Sequence, residues 1–141
     1  MMIFRWRQVA VPAMGLLLAA MVGCSDNGTD PTGGGGTGAT VSFAADLQPA
    51  FNLSCLNCHG PGGSGGLELT AGVAWANLVG VESQNYAPRQ RVMIANPNES
   101  VLYLKLDGAP GVGGRMPIGG ALNDVTIEKF RVWILEGALD N

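Results

Sequence analysis

The stretch "SCLNCHG", Ser54 to Gly60, contains two of the three cysteines and the one histidine of the 141-residue chain. Two thiols and an imidazole within five residues can hold a metal ion, exchange a disulfide or carry a haem. The pattern around them distinguishes these three kinds of chemistry, and the answer decides which fold the rest of the chain must build.

A zinc site and a disulfide both match this pattern poorly. A structural zinc site takes four Cys or His ligands, usually as two spaced pairs, and no second pair follows His59. A redox C-x-x-C pair usually lies between a strand and a helix, whereas "AADLQPAFNLS" before Cys55 has a helical pattern. A structural disulfide that closes so short a loop would add little stability.

The segment "CLNCH" is C-x-x-C-H, the signature of covalent attachment of a c-type haem. Cysteines three apart on a helical turn face the same side, so Cys55 and Cys58 can each form a thioether with one haem vinyl group. The next residue, His59, then lies beneath the iron as an axial ligand. The sequence therefore predicts one covalent haem c, with Cys55 and Cys58 as its attachment points and His59 as an iron ligand.

The opposite face of the iron is either filled by a second ligand or left open for chemistry. Because His59 is the only histidine, a second histidine from the same chain is excluded. Met93 lies in "RVMIAN", where core packing is the simpler interpretation, whereas Met116 lies in "GGRMPIGG", between glycines that let the backbone approach a flat cofactor and before the stiff Pro117. Met116 is therefore the predicted sixth ligand. Methionine together with histidine raises the iron potential, which suits an electron carrier.

Residues 1–23 have the pattern of an export signal, with Arg5 and Arg7 before an apolar run of 15 residues. The run is shorter than the roughly 20 residues that span a bilayer. The segment "MVGC" resembles a bacterial lipobox, so we expect Cys24 to be lipidated; an ordinary cleaved signal that leaves an odd thiol is the alternative. Residues 24–40 then form the lipidated cysteine and a flexible glycine-rich tether. This places the protein in the cell envelope, facing the periplasm or as an outer-membrane lipoprotein, with a lipid anchor in the membrane.

Residues 41–141 are expected to form one all-α domain, because no alternation of strands and helices appears. One predicted helix runs from about Ala44 to Leu53. A second begins at "NPNE", with Asn96 as N-cap, and stops at Gly108. The third is "DVTIEKFRVWILEGA", capped by Asn123 or Asp124, with an apolar stripe made of Ile127, Phe130, Trp133, Ile134 and Gly137.

The charge distribution excludes one class of partner. From Cys24 onward the chain has six basic and eleven acidic side chains, a balance of −5. No basic stripe is present, which argues against binding to nucleic acid. A mild acidic excess favours a basic docking partner or simple solubility.

The chain resembles a class I cytochrome c and, more narrowly, the small planctomycete-type cytochrome c domains. The resemblance rests on "CLNCH" followed in order by "GGLEL" (65–69), "NPNESVL" (96–102), "RMP" (115–117) and "WILEGA" (133–138). It implies a class I cytochrome c-like helical fold around one covalent haem, in which the first and last helices cross. It also implies His59 and Met116 as axial ligands and electron transfer between redox partner proteins, without enzymatic chemistry.

Two other functions stay open on the sequence. One is a haem enzyme or gas sensor, in which the sixth position is open or held by a displaceable Met116. The other is an accessory subunit whose haem relays electrons inside a larger complex. Five residues are candidates for contact with the haem propionates, with no preference among them: Trp75, Tyr86, Arg89, Arg91 and Arg115.

Overall fold

The structure is a computed structural model that describes residues 39–141. This part of the chain is helical, which confirms the predicted all-α class. The export signal, Cys24 and most of the tether fall on residues outside this range. The α-helices are α1 (Gln48–Ser54), α2 (Leu56–His59), α3 (Ala74–Leu78), α4 (Val101–Asp107) and α5 (Asp124–Leu135).

Short turns and two isolated bridges complete the described secondary structure. A π-helical turn, Phe43–Leu47, leads directly into α1, and 3₁₀ turns cover Ser64–Gly66 and Pro97–Glu99. Extended pairing within residues 39–141 is limited to a parallel bridge between Val79 and Val92 and an antiparallel bridge between Glu82 and Gln90. The same range contains no helix long and apolar enough to cross a bilayer.

The first helical segment begins with its free backbone N–H groups satisfied, as a helix start requires. The Ser42 N–H donates to the Asp46 carboxylate (2.9 Å), and Ser42 Oγ accepts from the Ala45 N–H (3.1 Å). The Asn141 side-chain Oδ1 accepts from the Phe43 N–H (2.8 Å), and the Asn141 main-chain oxygen accepts from the Ala44 N–H (2.9 Å). The helix predicted from about Ala44 to Leu53 is confirmed by the π-helical turn and α1 together, and Asn141 ties its start to the segment after α5.

The core is an aromatic cluster that joins this first segment to α5. Phe43 lies 5.2 Å from Trp133 and 6.0 Å from Phe51, measured between ring centroids, and Phe51 lies 5.3 Å from Phe130. All four rings are almost completely buried, and each contributes about 1.5–3 kcal/mol or more by leaving water. The predicted apolar stripe of α5 is confirmed, since its side chains are buried: Ile127, Phe130, Trp133 and Ile134.

The ends of α5 are set by its flanking residues. Asn123 provides the N-cap, because its Oδ1 accepts from the Thr126 N–H (2.8 Å), so the predicted choice between Asn123 and Asp124 falls on Asn123. The helix ends at Leu135, and Gly137 follows as predicted. The Trp133 indole N–H donates to the Leu139 carbonyl (2.8 Å), which folds the segment after α5 back against the helix.

The helix predicted from Asn96 to Gly108 is present but broken. The backbone is extended at Ser100, which separates the 3₁₀ turn from α4, and the Asn96 side chain makes no capping hydrogen bond. The break has a local cause: the buried Ser100 Oγ accepts from the Met93 N–H (2.9 Å) and lies 2.8 Å from the Asn96 carbonyl, so the backbone turns around this hydroxyl. The predicted stop at Gly108 is confirmed, with the residue in the left-handed region at φ +78°.

Candidate functional site

The two thiols and the imidazole lie on one short helical turn. Helix α1 ends at Ser54 because Cys55 leaves the helical region (φ −121°, ψ −29°), and α2 starts at the next residue. The Cys55 carbonyl accepts from the Cys58 N–H (3.1 Å) and from the His59 N–H (2.8 Å). The motif is therefore one compact turn whose geometry is fixed by a single carbonyl group.

The two cysteines occupy different environments. Cys55 is half-buried and packs against the core, whereas Cys58 is exposed, and both thiols are free. Burial, and secondly the nearby Cys58, raise the pKa of Cys55 to about 11. Catalytic thiols of disulfide exchange have lowered pKa values, so this environment disfavours the redox-pair interpretation of the motif.

The imidazole of His59 has no hydrogen-bond partner within residues 39–141. Its Nδ1 is buried and unpaired, and it is the only buried side-chain nitrogen or oxygen of that range without a partner. The main chain of the same residue is firmly held, because its carbonyl accepts from the Leu69 N–H (2.7 Å). A buried polar atom without a partner costs about 1–3 kcal/mol. Because the ring makes no hydrogen bond of its own, the hydrogen bond at its main chain is what positions the residue.

The glycine-rich loop after the motif packs directly against His59. A Cβ atom added at Gly63 would lie 2.7 Å from the His59 Cα and 2.8 Å from the Gly60 carbonyl oxygen, and it would also overlap the Leu67 carbonyl oxygen. The backbone of Gly63 itself is unstrained (φ −58°), so glycine is required here for space. Across the loop, the buried Gln48 amide donates to the Leu69 carbonyl (2.9 Å), which connects this loop to α1.

A buried arginine supports the same loop from the other side. Arg91 is 7% exposed, and its guanidinium donates to the carbonyls of Asn77 (2.8 Å), Gly65 (3.2 Å) and Gly66 (3.0 Å). Burial lowers its pKa. Sequence reasoning named Arg91 only as one of several propionate candidates and missed this supporting role, because arginine is usually exposed and no sequence signal marks a buried one.

Met116 is held by a different part of the fold. Its N–H donates to the Lys105 carbonyl (2.9 Å) on α4, and the preceding Arg115 donates through Nε to the Leu106 carbonyl (2.8 Å). The side chain of Met116 is half-buried. No hydrogen bond among the described residues links the loop of Met116 to that of His59. Met93 is also half-buried, and its backbone N–H is used by Ser100 Oγ.

Gly113, in the loop before Met116, leaves space for the Tyr86 side chain, a contact that the sequence did not reveal. Gly113 has φ +71°, and a Cβ added there would lie 2.7 Å from the Tyr86 hydroxyl oxygen. Glycine is therefore required at this position both for its left-handed backbone and for the approach of Tyr86. Trp75, another propionate candidate, donates its indole N–H to the Ala138 carbonyl (2.7 Å).

Two open surface pockets lie away from the motif. One, of about 450 Å³, runs along α5 between Val41 and Val132, and the other, of about 260 Å³, lies between Phe43 and Trp75. Neither is lined by a cysteine of the motif, by His59 or by Met116. Within residues 39–141, no three His, Cys, Asp or Glu side chains come together as the ligands of a metal ion.

The residues of the motif fit a covalently attached haem. The two free thiols lie one helical turn apart on the same short segment, and His59 presents a ring whose polar atoms are not used by the protein. A metal-bound histidine normally donates its second ring N–H to a nearby carbonyl or carboxylate, and within residues 39–141 the Nδ1 of His59 has no such acceptor. Leu56, within the motif, and Leu67, in the loop that follows it, are half-buried and pack against the core.

Comparison with known proteins adds nothing to this geometry. No protein family, no curated protein and no solved structure matches the chain. A function for this chain is therefore inferred from the arrangement of its own residues.

Proposed function

We propose that this chain is a monohaem c-type cytochrome that carries single electrons between redox partner proteins. The observation that carries the proposal is the turn Cys55–His59, in which two free thiols precede an imidazole that makes no hydrogen bond within residues 39–141. Cys55 and Cys58 would hold the haem as thioethers, and His59 would be an axial ligand. The all-α class of the domain is compatible with the class I cytochrome c fold that we propose for it.

The support around His59 suits an axial ligand that must keep one position. The Leu69 N–H holds its carbonyl at 2.7 Å, and Gly63 allows the following loop to lie against its Cα. Gln48 connects Leu69 to α1. The first two contacts hold the main chain of His59, and none of the three involves its ring. A bound haem would supply the one-electron redox centre, whose potential the protein sets through ligands and burial.

Met116 is our candidate for the second axial ligand. Its loop is attached to the end of α4 by two hydrogen bonds, from Arg115 Nε and from the Met116 N–H. A methionine on an anchored loop is presented in one place, which a firm thioether ligand requires. Met93, in contrast, follows a buried bridge residue and directs its N–H to Ser100.

The location of the protein is part of the same proposal. Covalent haem attachment takes place outside the cytoplasm, which agrees with the export signal that residues 1–23 resemble. A lipidated Cys24 and the polar segment 25–40 would keep the cytochrome domain near a membrane of the cell envelope. Several acyl chains would make this anchoring stable, since a single chain binds only marginally.

The first experiment is to record oxidised and reduced visible spectra of the full chain matured in a periplasm. We expect a covalent haem with a low-spin spectrum and the weak far-red band of ferric iron bound to methionine sulfur. The double variant Cys55→Ala/Cys58→Ala should lose covalent haem, whereas Cys24→Ala should keep it. A wild-type protein without haem, under conditions that mature a control cytochrome, would refute the proposal.

A matched pair of methionine variants tests the sixth ligand. Met116→Leu should abolish the far-red band and lower the reduction potential, because the thioether ligand raises it. Met93→Leu, a change of the same size elsewhere in the domain, should leave both unchanged. If both variants behave like the wild type and the ferrous wild-type protein binds carbon monoxide, the function is that of a haem enzyme or gas sensor with an open or displaceable sixth position.

A further inference from the structure

The six basic side chains of residues 41–141 divide into paired and unpaired groups. Lys129 lies 2.6 Å from Asp46, and Arg131 lies 2.6 Å from Glu128. The other four have no carboxylate within 4 Å among the described residues: Arg89, Arg91, Lys105 and Arg115. Arg91 is buried and bonded to carbonyls, so three unpaired cations remain at or near the surface.

The side chains of these three cations lie against one loop, the segment 108–116 that carries Met116; Arg115 belongs to the loop itself, whereas Lys105 reaches it from α4 and Arg89 from an earlier segment. A Cβ added at Gly108 would lie 3.1 Å from Arg115 Cδ, one at Gly111 would lie 3.9 Å from Arg89 Nη1, and one at Gly113 would lie 3.8 Å from Lys105 Nζ. Lys105 Nζ also lies 3.4 Å from the Gly114 carbonyl and 4.9 Å from the centre of the Tyr86 ring. Arg115 itself is exposed.

The carboxylates of the domain do not neutralise this loop. No acidic residue occurs from Gly108 to Asn123. Asp107, the nearest one along the chain, is exposed and lies within 4 Å of no basic nitrogen among the described residues. Glu82 pairs through its backbone with Gln90 and, within the described part of the chain, lies within 4 Å of no basic nitrogen. The domain is therefore acidic overall, with six basic and nine acidic side chains, but cationic at this loop.

We propose that Arg89, Lys105 and Arg115 form a cationic docking surface for a redox partner that presents carboxylates to it. The proposal rests on the proposed electron-transfer function and adds the chemistry of the partner. The surface surrounds the loop of Met116, so an acidic protein bound there would lie beside the candidate iron ligand. Unpaired surface cations raise the local concentration of anionic partners and speed their association, an effect that salt screens. The overall acidic balance would have favoured a basic partner instead.

The test compares two small redox reagents of opposite charge with the matured full-length protein. Ferricyanide, a trivalent anion, and tris(phenanthroline)cobalt(III), a trivalent cation, each oxidise a ferrous cytochrome. Between about 0.01 and 0.1 M ionic strength the Debye length falls from about 30 to about 10 Å. If the loop controls encounter, the ferricyanide rate constant should fall by about tenfold over this range, and the cobalt rate constant should rise.

The double variant Lys105→Gln/Arg115→Gln should remove the fall for ferricyanide, while Arg131→Gln, which also removes a cation from the surface, should preserve it. A ferricyanide rate that rises with salt in the wild type would overturn the proposal, since net charge would then govern encounter. An unchanged salt dependence in the double variant would overturn it as well.

A second measurement separates this proposal from the proposed function. Titration with poly-L-glutamate should shift the backbone amide resonances of Gly111, Gly113 and Gly114, but not those of Glu128 and Arg131, whether or not haem is attached. A protein without haem that still shows these shifts would refute the electron carrier and keep the cationic docking surface. A haem-containing protein without these shifts would refute the surface alone.

Discussion

Replacement of Arg91 by methionine removes the buried cation and keeps most of the volume of its apolar stem. The wild-type guanidinium donates to the carbonyls of Asn77, Gly65 and Gly66 and, in residues 39–141, has no carboxylate partner within 4 Å. Arg91→Met therefore tests whether this side chain holds the loop that follows the C-x-x-C-H motif or is only tolerated in the interior.

The expected loss follows from what happens to each acceptor. A hydrogen bond to a charged group contributes about 1.5–3 kcal/mol. Gly65 and Gly66 are exposed, so water can replace the guanidinium at their carbonyls, and the bond to the half-buried Asn77 carries most of the loss. Removal of a buried charge also returns part of its desolvation cost. We expect the free energy of unfolding to fall by about 2 kcal/mol.

The assay is urea unfolding of the matured protein, followed by tryptophan fluorescence. For a denaturant dependence of about 2 kcal/mol per molar, the midpoint should fall by about 1 M. Arg131→Met is the matched control, because Arg131 is only partly buried and contacts Glu128 at the surface, and its midpoint should stay at the wild-type value. Equal midpoints for Arg91→Met and the wild type would refute the reasoning, because the three carbonyl contacts would then contribute nothing.

Three further predictions concern the ligand loop, the core and an ion pair. Gly63→Ala should reduce the amount of covalent haem per protein and lower the free energy of unfolding in urea by about 1–3 kcal/mol, because the added Cβ has no room. Gly114→Ala is the control, since no atom lies within 4 Å of a Cβ added there. Equal haem content in the two variants would contradict the prediction. Phe130→Ala should cost about 3–5 kcal/mol in the same assay, because the ring is fully buried, and a loss below about 1 kcal/mol would show that the core does not depend on it. Lys129, chiefly by a hydrogen bond, lowers the pKa of Asp46, so the carboxylate stabilises the fold above its unfolded pKa of about 3.9, and this contribution is lost as the pH falls through the folded pKa. At pH 7 the wild type should therefore be more stable than Asp46→Asn, by no more than about 1 kcal/mol for this partly exposed pair. This difference in unfolding free energy should disappear below about pH 4. A difference that persists at pH 2 would exclude this explanation.

The helices were predictable where the sequence carries local signals. In α5, the period of the apolar stripe, the Asn123 cap and the trailing Gly137 agree with one another, and the structure has the predicted helix. In the segment after Asn96, the capping signal competes with the hydroxyl of Ser100, which is buried and bonds to the Met93 N–H. That competition depends on how the turn at Met93 folds back onto Ser100, so the sequence pattern predicted a continuous helix where the structure has a break.

The motif was predictable because its spacing is local, but its support was not. Cys55, Cys58 and His59 are neighbours along the chain, so a single helical turn brings them together. Gly63 and Arg91 act through space: one is small because the His59 Cα lies beside it, and the other is buried because three carbonyls surround its guanidinium. Neither a glycine in a glycine-rich loop nor an arginine before a valine differs in sequence from many residues without such roles.

The two candidate ligands depend on separate parts of the fold, and this separation decides which variants are informative. His59 is held through Leu69 and thereby through Gln48 on α1, whereas Met116 is held by Lys105 on α4. Because no hydrogen bond among the described residues joins the two loops, loss of the contacts around Met116 leaves those around His59 in place. If the chain holds the proposed haem, a change at the α4 side would open the sixth position and leave the contacts of Cys55, Cys58 and His59 unchanged. An electron carrier and a gas sensor would share Cys55 and His59, so only variants on the α4 side can distinguish them.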